Sequence, residues 1–187
     1  MGPEPSAVFA AIAALLAFPS FAQSTDSAER LDTVTVTGMI EAVDAETREV
    51  TIKGEDGMST VFEAGADVAN FDQIEVGDNV TLEYEEGVAL AMADPEDDGA
   101  PELVIAEART ALGDKPGAAA VEMVSFVVEV VSYDADNQLA TVVFPEGDER
   151  TLPVDDRMVE FAASRKAGDR VLVVVGQSIA VAVTPDE

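Results

Sequence analysis

The stretch DPEDDGAPE, residues 94–102, places Asp94, Glu96 and Asp98 at positions one, three and five, with Asp97 between them and Gly99 at six. Hard divalent cations want clustered oxygen ligands. This spacing matches the opening of a calcium loop, where alternate side chains converge on the ion and a glycine makes the sharp turn. Two positions depart from that pattern. Glu96 stands where Asp or Asn is usual, and Ile105 stands where a bidentate Glu should close the loop. Flanking helices are not evident. The stretch is therefore read two ways: a weak, low-affinity Ca²⁺ site on Asp94, Glu96, Asp97 and Asp98, or a solvated acidic linker, which is the stronger reading.

Other chemistry is narrowed by what is missing. The chain has no Cys and no His, which removes thiolate chemistry, the usual catalytic triads and the commonest neutral-pH base. No serine sits in a G-x-S-x-G turn, and neither a phosphate loop nor a dinucleotide fingerprint occurs. Carboxylate pairs suited to a hydrolase's acid and base abound, but 38 acidic residues make such pairs by chance. Met39, Met58, Met92, Met123 and Met158 are dispersed and read as packing rather than as a soft-metal site.

The formal net charge is −28, from 10 basic and 38 acidic residues. Such a surface repels phosphate backbones and anionic lipid and attracts cations and basic partners. The acidic residues are spread along the whole chain, which favours general solubility in a salty medium, where screening relieves self-repulsion. Arg150, Arg157, Arg165, Lys166 and Arg170, half of the basic residues, all lie within residues 121–184, which reads equally as ordinary pairing with local carboxylates or as an electrostatically polarised molecule.

The elements that carry these residues are strands. Val34, Val36, Gly38, Ile40 and Ala42 alternate with Thr33, Thr35, Thr37, Met39 and Glu41, the period of a half-buried strand. DAETR (44–48) and GEDG (54–57) are turns, with Gly57 free to take a positive φ. Val61–Phe62 marks a third strand, a helical turn is expected near Asp67–Phe71, NVTLEYEE (79–86) makes a fourth strand and GVALAMA (87–93) a fifth.

At an offset of 90 the pattern recurs. Asp44-Ala45 falls on Asp134-Ala135, Thr51-Ile52 on Thr141-Val142, Gly57 on Gly147 and Phe71 on Phe161. One inserted residue then brings Gly77-Asp78 onto Gly168-Asp169. Order, spacing and turn chemistry agree together, so the chain reads as two copies of one β-module. Five short strands with an insert after the third suit a small closed barrel, which leaves no bare edges. The expected fold is all-β: two tandem five-stranded OB-like barrels, or SH3-like ones. The modules are placed at 32–93 and 121–184. Residues 94–120 form an acidic, Pro/Gly-bounded linker whose middle, Leu103–Leu112, reads as a strand added to a module edge or as a short helix, the strand being preferred.

The start, MGPEPSAVFAAIAALLAFPSFA (1–22), reads as a secretory signal: an apolar run, then Ser20-Phe21-Ala22 as a small-x-small cleavage pattern. It departs in one respect, since its only charged residue is Glu4 and it has no basic one. Residues 23–31 are expected to form a disordered tail. The VGD-x-V turn entering strand four (Val76-Gly77-Asp78), ALAM ending the first module (89–92) and GDKPG before the second (113–117) resemble a family of uncharacterised exported bacterial proteins with a duplicated small β-module. That resemblance implies a fold and no activity.

These readings point to a non-enzymatic, periplasmic or secreted binding or interaction protein. Its partner is an unknown protein or a cationic one, held across the intermodule cleft or along an exposed edge by strand addition. No cofactor beyond the weak Ca²⁺ site is implied, and neither nucleic-acid binding nor membrane insertion. The basic groove and stacking aromatics that nucleic acid requires are missing. The alternatives are a low-affinity divalent-cation binder and, less favoured, a carboxylate-dependent hydrolase.

Overall fold

The computed structural model describes residues 27–65, 68, 70–111 and 114–185. They form one antiparallel sheet of nine strands: β1 (Ser27–Asp44), β2 (Glu49–Gly54), β3 (Ser59–Glu63), β4 (Asn79–Met92), β5 (Glu102–Arg109), β6 (Gly117–Asp134), β7 (Leu139–Val143), β8 (Glu149–Pro153) and β9 (Arg170–Thr184). The spatial order is β3-β2-β1-β4-β9-β6-β7-β8, and β5 pairs with β6 beside this path. Among the described residues helical structure is confined to 3-10 turns at Phe71–Gln73 and Asp156–Met158 and to one short helix, α1 (Val159–Ala163). Among the described residues no helix is long and apolar enough to cross a membrane.

The order strand, strand, strand, helical turn, strand occurs twice, as β1–β4 and β6–β9. Local geometry matches at the same offset. The register of β1 slips between Ile40 and Ala42, and that of β6 between Val130 and Ser132. Asp44 Oδ1 accepts hydrogen bonds from the backbone N–H of Glu46 and Thr47 at 2.8 and 3.1 Å; Asp134 Oδ1 does the same for Asp136 and Asn137 at 3.0 and 3.2 Å. A short acidic side chain that bonds its own backbone makes a turn locally, without help from packing. Gly57 and Gly147 then take φ of 79° and 90°, which only glycine adopts without cost.

The strand count per half differs from expectation. The anticipated fourth and fifth strands are one continuous strand in each half, β4 running through Gly87 and β9 through Gly176. Neither glycine takes a positive φ, so neither turns the chain. They lie opposite one another, where Asn79–Met92 pairs along its length with Val171–Thr184. This shared ladder joins the halves into one sheet, which is not closed, and two separate OB-like barrels are not confirmed.

Part of the expected disordered tail is ordered: Ser27–Leu31 pairs with Gly87–Ala91 as the start of β1. The presumed signal 1–22 and residues 23–26 lie outside the described residues. Within the expected linker, Glu102–Arg109 is a strand and Gly117–Ala120 already belongs to β6; Leu112 is outside the described residues. The helical turn anticipated near Asp67–Phe71 is found at Phe71–Gln73, with Asp67 outside the described residues.

Two cores sit at opposite ends of one sheet face. The first holds Ile40, Val50, Phe71 and Val183; the second holds Val128, Val130, Val142, Phe161 and Val171. Each borrows from the other half. Val183 comes from β9 into the first core, and Ala28 and Leu90 come from β1 and β4 against the second. Ile40 is wholly buried, a burial that stabilises the fold by about 1.5 to 3 kcal/mol. Its expected face-mates Val34 and Val36 are instead 57% and 56% exposed, because the middle of β1 lies between the two cores.

Candidate functional site

Alternation on the strands of the second half directs one set of side chains inward: Phe126, Val128 and Val130 from β6, Val142 from β7, Val171 and Val173 from β9. They do not fill the space between them. A cavity of about 430 Å³ remains, closed on one side by Met158 and Phe161 of the helical insert and bordered by Val88, Leu90 and Arg30. Phe126 and Phe144 stack in its wall with ring centroids 5.6 Å apart. The lining is almost wholly apolar.

Tyr133 is one of the few polar residues in the lining, with Arg30, Asp155 and Arg165. The extra residue at the Val130–Ser132 bulge shifts the alternation, and Tyr133 lines the cavity opposite Ala140. Its hydroxyl is buried and finds no hydrogen-bond partner among the described residues. A buried hydroxyl without a partner costs free energy that a satisfied one does not. In this setting it is a fixed polar handle in an apolar wall.

The insert is clamped to the first half. The Arg157 guanidinium donates from Nη1 and Nη2 to Asp32 Oδ1, each at 3.1 Å, from Nη1 to the Leu31 carbonyl at 3.3 Å, and from Nε to Asp155 Oδ1 at 3.0 Å. The hydrogen bonds from Arg157 hold the Asp155 carboxyl below the usual aspartate range, and those to Asp155 and Asp32 push Arg157 up. Both groups are charged at any ordinary pH, so the clamp that covers the cavity is not a neutral-pH switch. Arg150 and Arg165 lie over the Phe144 and Phe161 rings at 4.8 and 4.5 Å, covering the cavity's aromatic wall with cations.

The first half has a counterpart of about 400 Å³ lined by Ile40, Phe62, Val80 and Val183. Here the β5–β6 hairpin closes in, contributing Arg109, Thr110 and Pro116 to the wall. The hairpin is latched. Asn70 Nδ2 donates to the Asp114 carbonyl at 2.7 Å, and Lys115 Nζ donates to Asp78 Oδ2 at 2.7 Å and Glu75 Oε2 at 2.9 Å.

In the acidic loop the Asp carboxylates bond nearby backbone. Asp94 Oδ1 accepts from the Glu96 N–H at 2.9 Å, Asp97 Oδ1 from the Gly99 N–H at 2.8 Å and Asp98 Oδ1 from the Ala100 N–H at 3.0 Å; Glu96 is exposed. These carboxylates cap their own turns rather than facing a common point. Arg170 Nη2 donates to the Asp97 carbonyl at 2.7 Å, placing a positive charge against the loop. Among the described residues no group of three or more acidic side chains is placed to hold a metal ion. Nor do carboxylates face each other in either cavity: Asp155 is the one in the second-half wall and Glu63 the one in the first.

The space among the inward side chains of the second half and the role of Tyr133 were not legible from the sequence. Its one usable signal was the tyrosine just before the repeated Asp-Ala turn at 134–135.

Comparison with protein-family models and with curated proteins finds no match to this chain. What fold and site define is a class: an all-β protein with one open antiparallel sheet and an apolar cavity at each end of one face. The likeness to exported proteins with a duplicated β-module rests on the three motifs that carry it.

Proposed function

We propose that the chain is a non-enzymatic binding protein, exported to the periplasm or secreted, whose second-half cavity takes a small apolar molecule carrying one polar group. The observation that carries this is the apolar cavity of about 430 Å³ with the unpartnered Tyr133 hydroxyl in its lining. The volume falls within the range of small-molecule sites, about 300 to 1,000 Å³, and such sites combine apolar walls with a few placed polar groups. The ligand's polar group bonds Tyr133, and its apolar body packs on Phe126, Phe144 and Phe161. Export is supported by the signal-like pattern at 1–22. The duplicated-module reading belongs with this function: each half supplies one core, one helical insert and one cavity.

The test is titration of the purified protein with a fluorescent naphthylamine probe, whose emission rises in apolar surroundings. Saturable binding at one site is expected. Ala140→Phe, which projects a ring into the cavity from β7, should abolish it while the circular dichroism stays that of the parent. A folded Ala140→Phe protein that binds the probe as the parent does would sink the proposal.

A further inference from the structure

We infer that the uncovered edge of β1, Thr33–Thr37, accepts an extended segment of a basic polypeptide as an added strand. This surface is separate from the cavity, and the inference does not depend on the cavity's ligand.

The two sides of β1 differ. On one side Ser27–Met39 pairs with β4. On the other, β2 pairs only from Gly38 to Asp44. Among the described residues no strand pairs with the outer side of Ala28–Thr37; Arg157 of the helical insert caps the Leu31 carbonyl and pairs with Asp32, which leaves Thr33–Thr37 as the uncovered run. The other half shows what that position can hold. Ala118–Ser125 of β6, which the offset of 90 matches to Ala28–Thr35, carries β5 as its antiparallel neighbour, from Arg109 back to Glu102. One half has its covering strand, and the other has the slot.

Beyond the Arg157 clamp at Leu31 and Asp32 the slot is unguarded. Natural edges are blunted with proline, lysine, bulges or short strands. β3 is five residues long, and β8 carries Arg150 and Pro153. Ala28–Thr37 contains neither proline nor lysine, and its register with β4 is unbroken. From Thr33 to Thr37 it alternates threonine and valine, all exposed, a sequence with high strand propensity and little charge.

Charge selects the occupant. Thr33 and Thr35 lie opposite Glu85 and Glu83 of β4, and Glu29 shares their face. Among the described residues Glu29, Glu83 and Glu85 have no cationic side chain within ion-pair distance, while Thr33 Oγ1 donates to Glu85 Oε1 at 3.2 Å. Strands pack about 4.8 Å apart, so a lysine or arginine on an added strand reaches over the short threonines toward Glu83 and Glu85. The opposite face of that strand meets Val34 and Val36, so apolar residues suit it there. A second copy of this chain is disfavoured, because it brings another net charge of −28 to the same edge. The partner is a basic segment that alternates cationic and apolar residues.

The probe is a synthetic peptide of about nine residues, the reach of a typical long strand, alternating lysine and valine. It is compared with two versions N-methylated at every second amide, one along each edge. All three carry the same charge and side chains, and the protein itself is unaltered. Calorimetry and amide hydrogen exchange are read together. One-to-one binding is expected, with alternate amides of Thr33–Thr37 exchanging about tenfold more slowly. Methylation along one edge should weaken binding about tenfold, and along the other little. Equal binding by all three peptides, or binding without protection in β1, would mean a charge coat and overturn the inference, as would no binding. Concentration-dependent self-association that protects β1 without peptide would overturn it in favour of a second copy.

Discussion

Tyr133→Phe should stabilise the unliganded protein. The substitution removes only the hydroxyl, which is buried and has no hydrogen-bond partner among the described residues. The ring keeps its place in the cavity wall. In the unfolded chain that hydroxyl is bonded to water, and in the fold it is not, so desolvation is lost without return. Such a group costs about 1 to 3 kcal/mol. Only part of this is recovered, since the small space left by the oxygen adds a void, so a gain of about 1 kcal/mol is the working figure. For a chain of this size that raises the melting temperature by about 2 to 4 °C. Urea and thermal unfolding followed by far-ultraviolet circular dichroism measure it, with the denaturant slope unchanged. Naphthylamine probes that do not bond the hydroxyl should bind the variant as they bind the parent, whereas ligands with a polar group should bind it more weakly. Destabilisation by 1 kcal/mol or more would show that the hydroxyl has a partner in solution. The case for a polar handle held open for a ligand would then fail.

Other expectations follow from named contacts. Lys115→Met should lower stability by about 2 to 3 kcal/mol, somewhat under the range for fully buried pairs, because it strands the buried Asp78 carboxylate with the Glu75 N–H alone; urea midpoints of the two proteins decide it. Burial alone would lower the Lys115 pKa, but its hydrogen bonds to Asp78 and Glu75 outweigh burial and raise it above the ordinary 10.5. Its contribution is therefore full below that value and lost as pH rises through the folded one, so the parent should lose stability above about pH 10.5 more steeply than Lys115→Met does. Gly38→Ala should cost about 1 to 3 kcal/mol, since its Cβ would lie 2.6 Å from Ile52 Cγ2 and 3.0 Å from the Lys53 carbonyl oxygen; an unchanged urea midpoint would mean that β1 and β2 can move apart. Sodium and calcium chloride at matched ionic strength should raise the melting temperature equally, because Asp94, Asp97 and Asp98 are engaged with their own turns. Extra stabilisation by calcium, lost in Asp94→Asn/Asp98→Asn, would restore the calcium-loop reading.

Much of the local structure was legible in the residues. Period-two alternation marked the strands, and Asp44, Asp134, Gly57 and Gly147 marked the turns, because each acts on its own backbone. The 90-residue offset reappears in the bulges at Ile40–Ala42 and Val130–Ser132. Strand continuity was not legible. A glycine inside an alternating run reads equally as a break or as an extended residue, and only pairing between Gly87 and Gly176 decides which. For the same reason Val34 and Val36 were placed on a buried face: alternation says which residues share a side, not whether anything covers it. The acidic loop shows the converse. Its spacing suggested convergence on an ion, but carboxylates can bond the nearest N–H instead, and here three of the four do.

The sequence by itself determined an all-β chain with strands in repeated order, a strongly acidic surface and no thiol or imidazole chemistry. These follow from residue type and near-neighbour spacing, which act over a few residues at most. Tertiary structure decided that the halves share one open sheet, that each core borrows from the other half and that, among the described residues, the Tyr133 hydroxyl has no partner and Thr33–Thr37 of β1 has no strand on its outer side. Each of these depends on which distant strand pairs with which, and strand pairing is a long-range choice that alternation leaves open.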